Sequence, residues 1–265
     1  MKYNTVLIGD EMGLLVLEDV IKSYNDFRVR LLIVSEKRDK AVDTGNKIAK
    51  RLGCPLLIHP KTRDKRYDNF VRSIELINPD IGIVFSYDRI LKKEVLDLFH
   101  GQIYNVHGAL LPGYRGANVL NWVLINGENK TGVTIHAMVP ELDAGAIAAQ
   151  REVEIDECDT AVALQKKLNI VVVELLHAFL SEFLTGSIDL VEQDKEKVTI
   201  VRRRKPEDGF FSWNQDARTI YNLIRALVAP WPGAWYIKDG KKYVIDYFIS
   251  YDEVVKMKKQ LQSEE

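Results

Sequence analysis

Asn105, His107 and Asp143 have side-chain types and spacing suited to proton transfer beside an acyl centre. Asn105 and His107 stand two apart at the end of the apolar run "GQIYNVH", and alternation along a strand projects them from one face. Asp143 lies in "ELDAGAI", two residues before Gly145, which permits a tight backbone turn. An imidazole beside a carboxylate moves protons near neutral pH. An amide N–H₂ donates to an oxygen that gains charge. Together the three suit acyl transfer to an amine. The amine is then the nucleophile, and no Ser or Cys is required. Singly, each has a plainer reading: a strand-end His is usually a hydrogen-bonded structural residue, and an Asp before Ala-Gly usually a turn. His136, in "TIHAM", reads as structural or as lining the site, and His59, His100 and His177 read as structural.

Positioning such a trio requires a rigid sheet, and the sequence supplies one. "NTVLIGD", "VRLLIVS", "PLLIH", "IGIVFSY" and "GQIYNVH" read as strands. Between them, "LLVLEDVIKSY", "VDTGNKIAKRLG", "YDNFVRSIELIN" and "KKEVLDLF" carry helical patterns, the second closed by Gly53 as a C-cap. This alternation predicts right-handed βαβ units: an α/β, Rossmann-like, mostly parallel twisted sheet with helices on both faces. Ligands bind such sheets at the carboxyl ends of strands, where Asn105 and His107 sit. A helix at "ANVLNWVLINGE", strands at "TGVTIHAM" and "AIAAQREVEI", and a long helix from Thr160 to about Leu184 complete a domain over residues 1–187. Residues 188–265 read as a small α+β subdomain with one helix, "ARTIYNLIRALV", and a hairpin turning at Asp239-Gly240.

Composition narrows the class. The chain has 265 residues, nearly half apolar, and a formal charge of −1. That balance argues against a nucleic-acid coat. Cys54 and Cys158 lack disulfide-framework or metal-ligand spacing, so a reduced, cytoplasmic chain without a metal is expected. The most apolar stretch, "LNIVVVELLHAFLSEFL", is broken by Glu174, His177 and Glu182 and reads as a buried amphipathic helix, so no membrane partner is expected. "LIGDEMG" lacks the glycine spacing of a dinucleotide fingerprint, which makes a nicotinamide enzyme a poor reading.

The segments "NVHGALLPGYRG", "TGVTIHAM" and "ELDAGAI", in that order, resemble the signature of the formyltetrahydrofolate-dependent formyltransferase family, with similarity from Met1 to about Ile249. The resemblance implies N10-formyltetrahydrofolate as co-substrate. Asn105 and His107 would polarise the formyl oxygen, and Asp143 would orient His107 and help remove the amine proton. It places the pterin after the fourth strand, at Phe85, Tyr87, Ile90 and Leu91, mainly against backbone, with Leu142 and Gly145 of the later loop. It places the acceptor near Met12, Gly13, Tyr114 and Arg115.

The tail segments "RRRKPEDGFFSW" and "LIRALVAPWPGAWY" are similar to nucleotide-sugar N-formyltransferases, in particular the formyltransferase domain of the enzyme acting on UDP-4-amino-4-deoxy-L-arabinose. The glycine-rich phosphate loop of the glycinamide-ribotide branch is missing. The resemblance implies formylation of a UDP- or dTDP-linked amino sugar for cell-surface polysaccharide or lipopolysaccharide O-antigen, by a homodimer, with no nucleic acid as partner. Arg115 and Arg225 would meet the diphosphate, and Trp231 and Trp235 would stack a base or fill a small core. Val119 replaces the proline usual after the YRG turn. Two alternatives stand beside this: a methionyl-tRNA formyltransferase, reading the basic run Arg202 to Lys205 as a tRNA contact rather than a solvated face, and a folate- or nucleotide-binding module without chemistry.

Overall fold

The computed structural model describes residues 2–263. Its strands are β1 Tyr3–Gly9, β2 Phe27–Ser35, β3 Leu56–His59, β4 Ile81–Phe85, β5 Ile103–His107, β6 Arg115–Gly116, β7 Lys130–Ala137, β8 Ile147–Glu154, β9 Ile200–Val201, β10 Ala234–Lys238 and β11 Lys241–Ile245. The helices are α1 Glu11–Ile21, α2 Asp39–Leu52, α3 Tyr67–Glu75, α4 Lys93–Leu96, α5 Val119–Ile125, α6 Ala161–Thr185, α7 Ala217–Ala226 and α8 Tyr251–Ser263. Seven strands form one sheet in the order β3-β2-β1-β4-β5-β7-β8. The β1–β2, β1–β4, β2–β3 and β4–β5 pairs are parallel, and β5–β7 is antiparallel. The expected α/β, mostly parallel architecture is therefore the one found.

Two compact units divide the chain. The first holds the chain up to His107, Thr134–Gln150 and Val172–Gln193; the second holds Gly108–Val133, Arg151–Val171 and the chain from Asp194. In the first unit, the middle strands carry apolar runs because their carboxyl-terminal halves are buried: Val6, Leu7 and Ile8 in β1 and Leu32, Ile33 and Val34 in β2 have no exposure. Tyr67, Phe70 and Ile74 of α3, spaced one and two helical turns apart, join Val6, Ile8, Ile33 and Val84 in the core. Each such side chain contributes about 2 kcal/mol by leaving water. α1 starts at Asp10, whose side chain accepts from the Gly13 N–H, and α2 stops at Gly53 in the left-handed conformation, the predicted cap.

The second unit contains the α5 and α7 helices, the β6–β9 pair and the β10–β11 hairpin. Asp239 and Gly240 both have positive φ, at 50° and 72°, as the expected Asp-Gly turn requires. Asp216 caps α7 by accepting from the Arg218 and Thr219 N–H groups. The tail holds two helices rather than one, since α8 follows the hairpin. Its start is a capping box: Ser250 Oγ accepts from the Glu253 N–H at 3.3 Å, and Glu253 Oε2 accepts from the Ser250 N–H at 2.7 Å. The sequence "SYDE" carries that signal.

α6 is long and apolar enough to cross a membrane by length and composition. Its residues Leu175, Leu176, Phe179 and Leu180 are buried, with Phe179 edge-on to Tyr104 of β5 at 4.8 Å between ring centroids.

Candidate active site

The carboxyl end of β5 and the loop after β7 bring Asn105, His107 and Asp143 together within the first unit. The antiparallel register sets Asn105 opposite His136 and His107 opposite Thr134. His107 Nδ1 lies 3.8 Å from Asp143 Oδ2, and His136 Nε2 lies 3.6 Å from Asp143 Oδ1. Each carboxylate oxygen thus faces a different imidazole. The two rings sit edge to face, 6.3 Å apart. His107 and His136 are buried, at 6% and 2% exposure, while Asn105 is half-buried. The two carboxylate–imidazole distances exceed a normal hydrogen bond, a common feature of catalytic pairs before the reactant arrives.

Backbone conformation puts Asp143 there. It has a positive φ of 50°, tolerated by Asp better than by most residues. Gly145 passes so close to β7 that an added Cβ would stand 1.8 Å from the Ala137 carbonyl oxygen. The buried Gln193 side chain ties the loop down, donating to the Asp143 carbonyl at 2.8 Å and the Gly145 carbonyl at 2.7 Å. Gly145 therefore serves the loop's shape. Its position two residues after Asp143 is what sequence reading could use; Gln193, fifty residues on, left no local signal.

Asn105 donates through Nδ2 toward His136 Nε2 at 3.2 Å. Among the described residues its amide makes no other side-chain bond, so a second N–H remains for an oxygen of a reactant. The cluster offers a neutral donor, an imidazole and a carboxylate side by side at the carboxyl end of β5. That set can stabilise a developing oxyanion and take a proton from an attacking amine.

Other expected site residues are placed as follows. The segment after β4 is irregular from Ser86 to Lys92, and residues 87–91 make no backbone–backbone hydrogen bond among the described residues. Their N–H and C=O groups suit recognition of a heterocycle's edge. Ile90 and Leu142 are exposed, at 73% and 56%, and present apolar surface. Phe85 and Leu91 are buried, Leu91 in the core cluster, so their side chains serve packing. Tyr87 shares a 2.7 Å hydrogen bond with His59 Nδ1.

Gly13 is not an open ligand contact either. An added Cβ would stand 2.0 Å from the Phe85 carbonyl oxygen, and its N–H is bonded to Asp10. The Asp10 carboxylate already fills the start of α1, also accepting from Arg38 at 3.1 Å and Ser86 at 2.8 Å. A phosphate has no place at that helix end. Met12 is half-buried.

In the second unit, Tyr114 and Arg115 are tied to β9. The Tyr114 N–H donates to Thr199 Oγ1 and the Arg115 N–H to the Thr199 carbonyl. The Tyr114 hydroxyl donates to Glu128 at 2.5 Å, and burial together with that carboxylate pushes its pKa up to about 12. Arg115 is 7% exposed. Arg225 is buried and spends its guanidinium on Asn222 and on the carbonyls of Asp156, Glu157 and Asp159. It organises a loop rather than offering an open phosphate contact. Trp235 is likewise committed, donating to the Pro206 carbonyl and lying under Lys242. In the basic run, Arg202 pairs with Asp208 and covers Trp122. Arg204 differs. Half-buried, its Nε has no partner, and among the described residues its guanidinium makes no ion pair. Desolvation lowers its pKa, as expected of a cation short of an anion. Reading the run as a uniformly solvated face missed it.

A mostly parallel α/β sheet with a polar cluster of amide, imidazole and carboxylate groups at a strand's carboxyl end defines the class. Residues 7–180 match the formyl transferase family, and residues 203–256 match the formyl transferase C-terminal domain. The chain belongs to the formyl transferase family. Its fold is similar to that of a 4-N formyltransferase from Francisella tularensis, with a TM-score of 0.74 at 17% identity, covering 93% of this chain and 98% of that one. WlaRD, a sugar 3N-formyl transferase solved in the presence of dTDP and 5-N-formyl-THF, is similar with a TM-score of 0.69 at 18% identity over 91% of this chain and 85% of that one. An N-formyltransferase from Helicobacter canadensis, solved with folinic acid and dTDP-3-aminofucose, matches with a TM-score of 0.69 at 17% identity over 91% and 86%.

Proposed function

We propose that the chain transfers the formyl group of N10-formyltetrahydrofolate to the amine of a nucleotide-linked amino sugar. The observation that carries this is the Asp143 carboxylate lying between two buried imidazoles, beside an Asn105 N–H that no described residue uses. The amine attacks the formyl carbon. As that C–N bond forms, the carbonyl oxygen gains charge and is held by Asn105 and His107. Asp143, with His107, takes the proton that the amine loses. The bond from the formyl carbon to folate N10 then breaks, and N10 takes a proton, so the products are a formamide and tetrahydrofolate. The irregular backbone after β4, with Ile90 and Leu142, receives the pterin. The sugar-nucleotide acceptor is supported by solved relatives of the same fold that bind dTDP or a dTDP-amino sugar. The product is a formylated sugar of the kind built into cell-surface polysaccharide, made in the cytoplasm.

Purified chain with N10-formyltetrahydrofolate and a panel of UDP- and dTDP-linked 3-amino and 4-amino sugars forms a formamide with at least one, read by mass. Formylation of methionyl-tRNA alone would sink the sugar assignment.

A further inference from the structure

His136 stands outside the trio that the motif spacing singles out, yet it touches two of its members. Its Nδ1 lies 2.9 Å from the Ala137 carbonyl oxygen. A carbonyl only accepts, so Nδ1 carries the ring proton. In the singly protonated ring, Nε2 is then a bare lone pair. Its neighbour at 3.2 Å is the Asn105 amide nitrogen, which can only donate. The backbone of β7 therefore fixes the tautomer of His136, and the tautomer fixes the rotation of the Asn105 amide. Were the amide turned over, its oxygen would face the Nε2 lone pair, two acceptors in contact.

We infer that His136 is a positioning residue for formyl transfer: its neutral Nδ1–H tautomer holds the Asn105 amide with the N–H₂ end toward β7, leaving one N–H aimed for the oxyanion. This inference rests on the proposed reaction, and it adds a residue to it. The need is physical. Amide rotation by a half-turn exchanges a donor for an acceptor at the reacting oxygen, and an oxyanion hole missing one donor loses about 10²–10³ in rate. His136 is 2% exposed and sits in the middle of a hydrogen-bonded strand pair, so its ring cannot adapt when the charge develops. Asp143 Oδ1 at 3.6 Å and the His107 ring at 6.3 Å are titratable groups that face it.

Two substitutions separate this role from packing. Gln places its terminal amide near the former Nε2, and its oxygen can accept from Asn105. Asn places its amide near the former Nδ1, keeping the Ala137 contact and losing the acceptor. His136→Gln is expected to keep kcat within about fivefold, while His136→Asn loses about 10–100-fold in kcat, with both KM values within twofold and equal melting temperatures. Equal impairment of the two variants, or kcat losses that follow melting temperature, would overturn the role. A second readout does not depend on turnover. Nitrogen-15 shifts of the wild-type His136 ring report the Nδ1–H tautomer, and the Asn105 side-chain N–H₂ pair shows protection that His136→Asn abolishes. An Nε2–H tautomer or unchanged amide protection overturns the inference whatever the acceptor proves to be. A chain that shows the tautomer but formylates no amino sugar instead refutes the proposed substrate.

Discussion

Two polar clusters lie at the carboxyl ends of the strands of the first unit, and both contain a buried histidine. Around β5 and β7, His107 and His136 face Asp143 at 3.8 and 3.6 Å, and Asn105 has an N–H to spare. Around β2, β3 and β4, short hydrogen bonds join most of the groups, with Asp88 Oδ1 buried without a partner. His59 stacks on Phe70 at 4.4 Å and bonds Tyr87 at 2.7 Å. Arg89 donates to Ser35, Glu36 and the Pro60 carbonyl, and Arg38 to Asp10. Burial does not tell the clusters apart, since His59 is 1% exposed and His107 6%. What differs is how closely the imidazole is held: His59 is joined to Tyr87 at 2.7 Å, whereas His107 and His136 face Asp143 at 3.8 and 3.6 Å. A cluster closed by short hydrogen bonds resists change and serves stability, whereas longer carboxylate–imidazole separations can close on a reactant.

The sharpest break of this contrast is at Asp143. Asp143→Asn keeps the shape and removes the proton acceptor, so kcat/KM is expected to fall by about 10³ or more, and His107→Ala by well over ~10². Unfolding midpoints in urea should hardly move for Asp143→Asn. Activity retained within tenfold would return the pair to a structural role.

The opposite pattern is expected at His59. Burial first, then Arg89, lowers its pKa from 6.5 to about 4. The unfolded chain therefore takes up this proton at a higher pH than the folded one. Stability from His59 is complete above about pH 6.5, declines as pH falls, and below pH 4 has lost about 3 kcal/mol. His59→Phe keeps a ring on Phe70 and orphans the Tyr87 hydroxyl, which costs about 1–3 kcal/mol near neutral pH. In exchange, it flattens the dependence between pH 6.5 and 4, while kcat at neutral pH stays near wild type. Urea titrations across that range, alongside initial rates, read both effects. A slope that persists in the variant would show that other groups carry the acid sensitivity.

The sheet was legible because its signal is local. Continuous β-branched runs in β1, β2 and β4, periodic apolar positions in α3 and the Gly53 cap report on neighbours a few residues away. Asn105 and His107 could be read by the period of two, and Asp143 by the Gly145 two residues on. At Gly13, Leu91 and Arg225 the side chains serve packing, which uses the same residue types as binding: a glycine for close approach, a leucine for core, an arginine for carbonyls. α8 went unread although Ser250 and Glu253 announce its start.

The sequence by itself determined the alternation of elements, the place of Asn105 and His107 at the end of β5, and the residue types able to move a proton. Only the tertiary structure decided that His136 stands beside them, that Gln193 holds the loop of Asp143, and that the Arg204 Nε is buried without a hydrogen-bond partner. Those facts depend on register between β5 and β7 and on contacts across fifty or more residues of chain. Side-chain hydrogen bonding is set by angstrom-scale distance, and no local pattern encodes that.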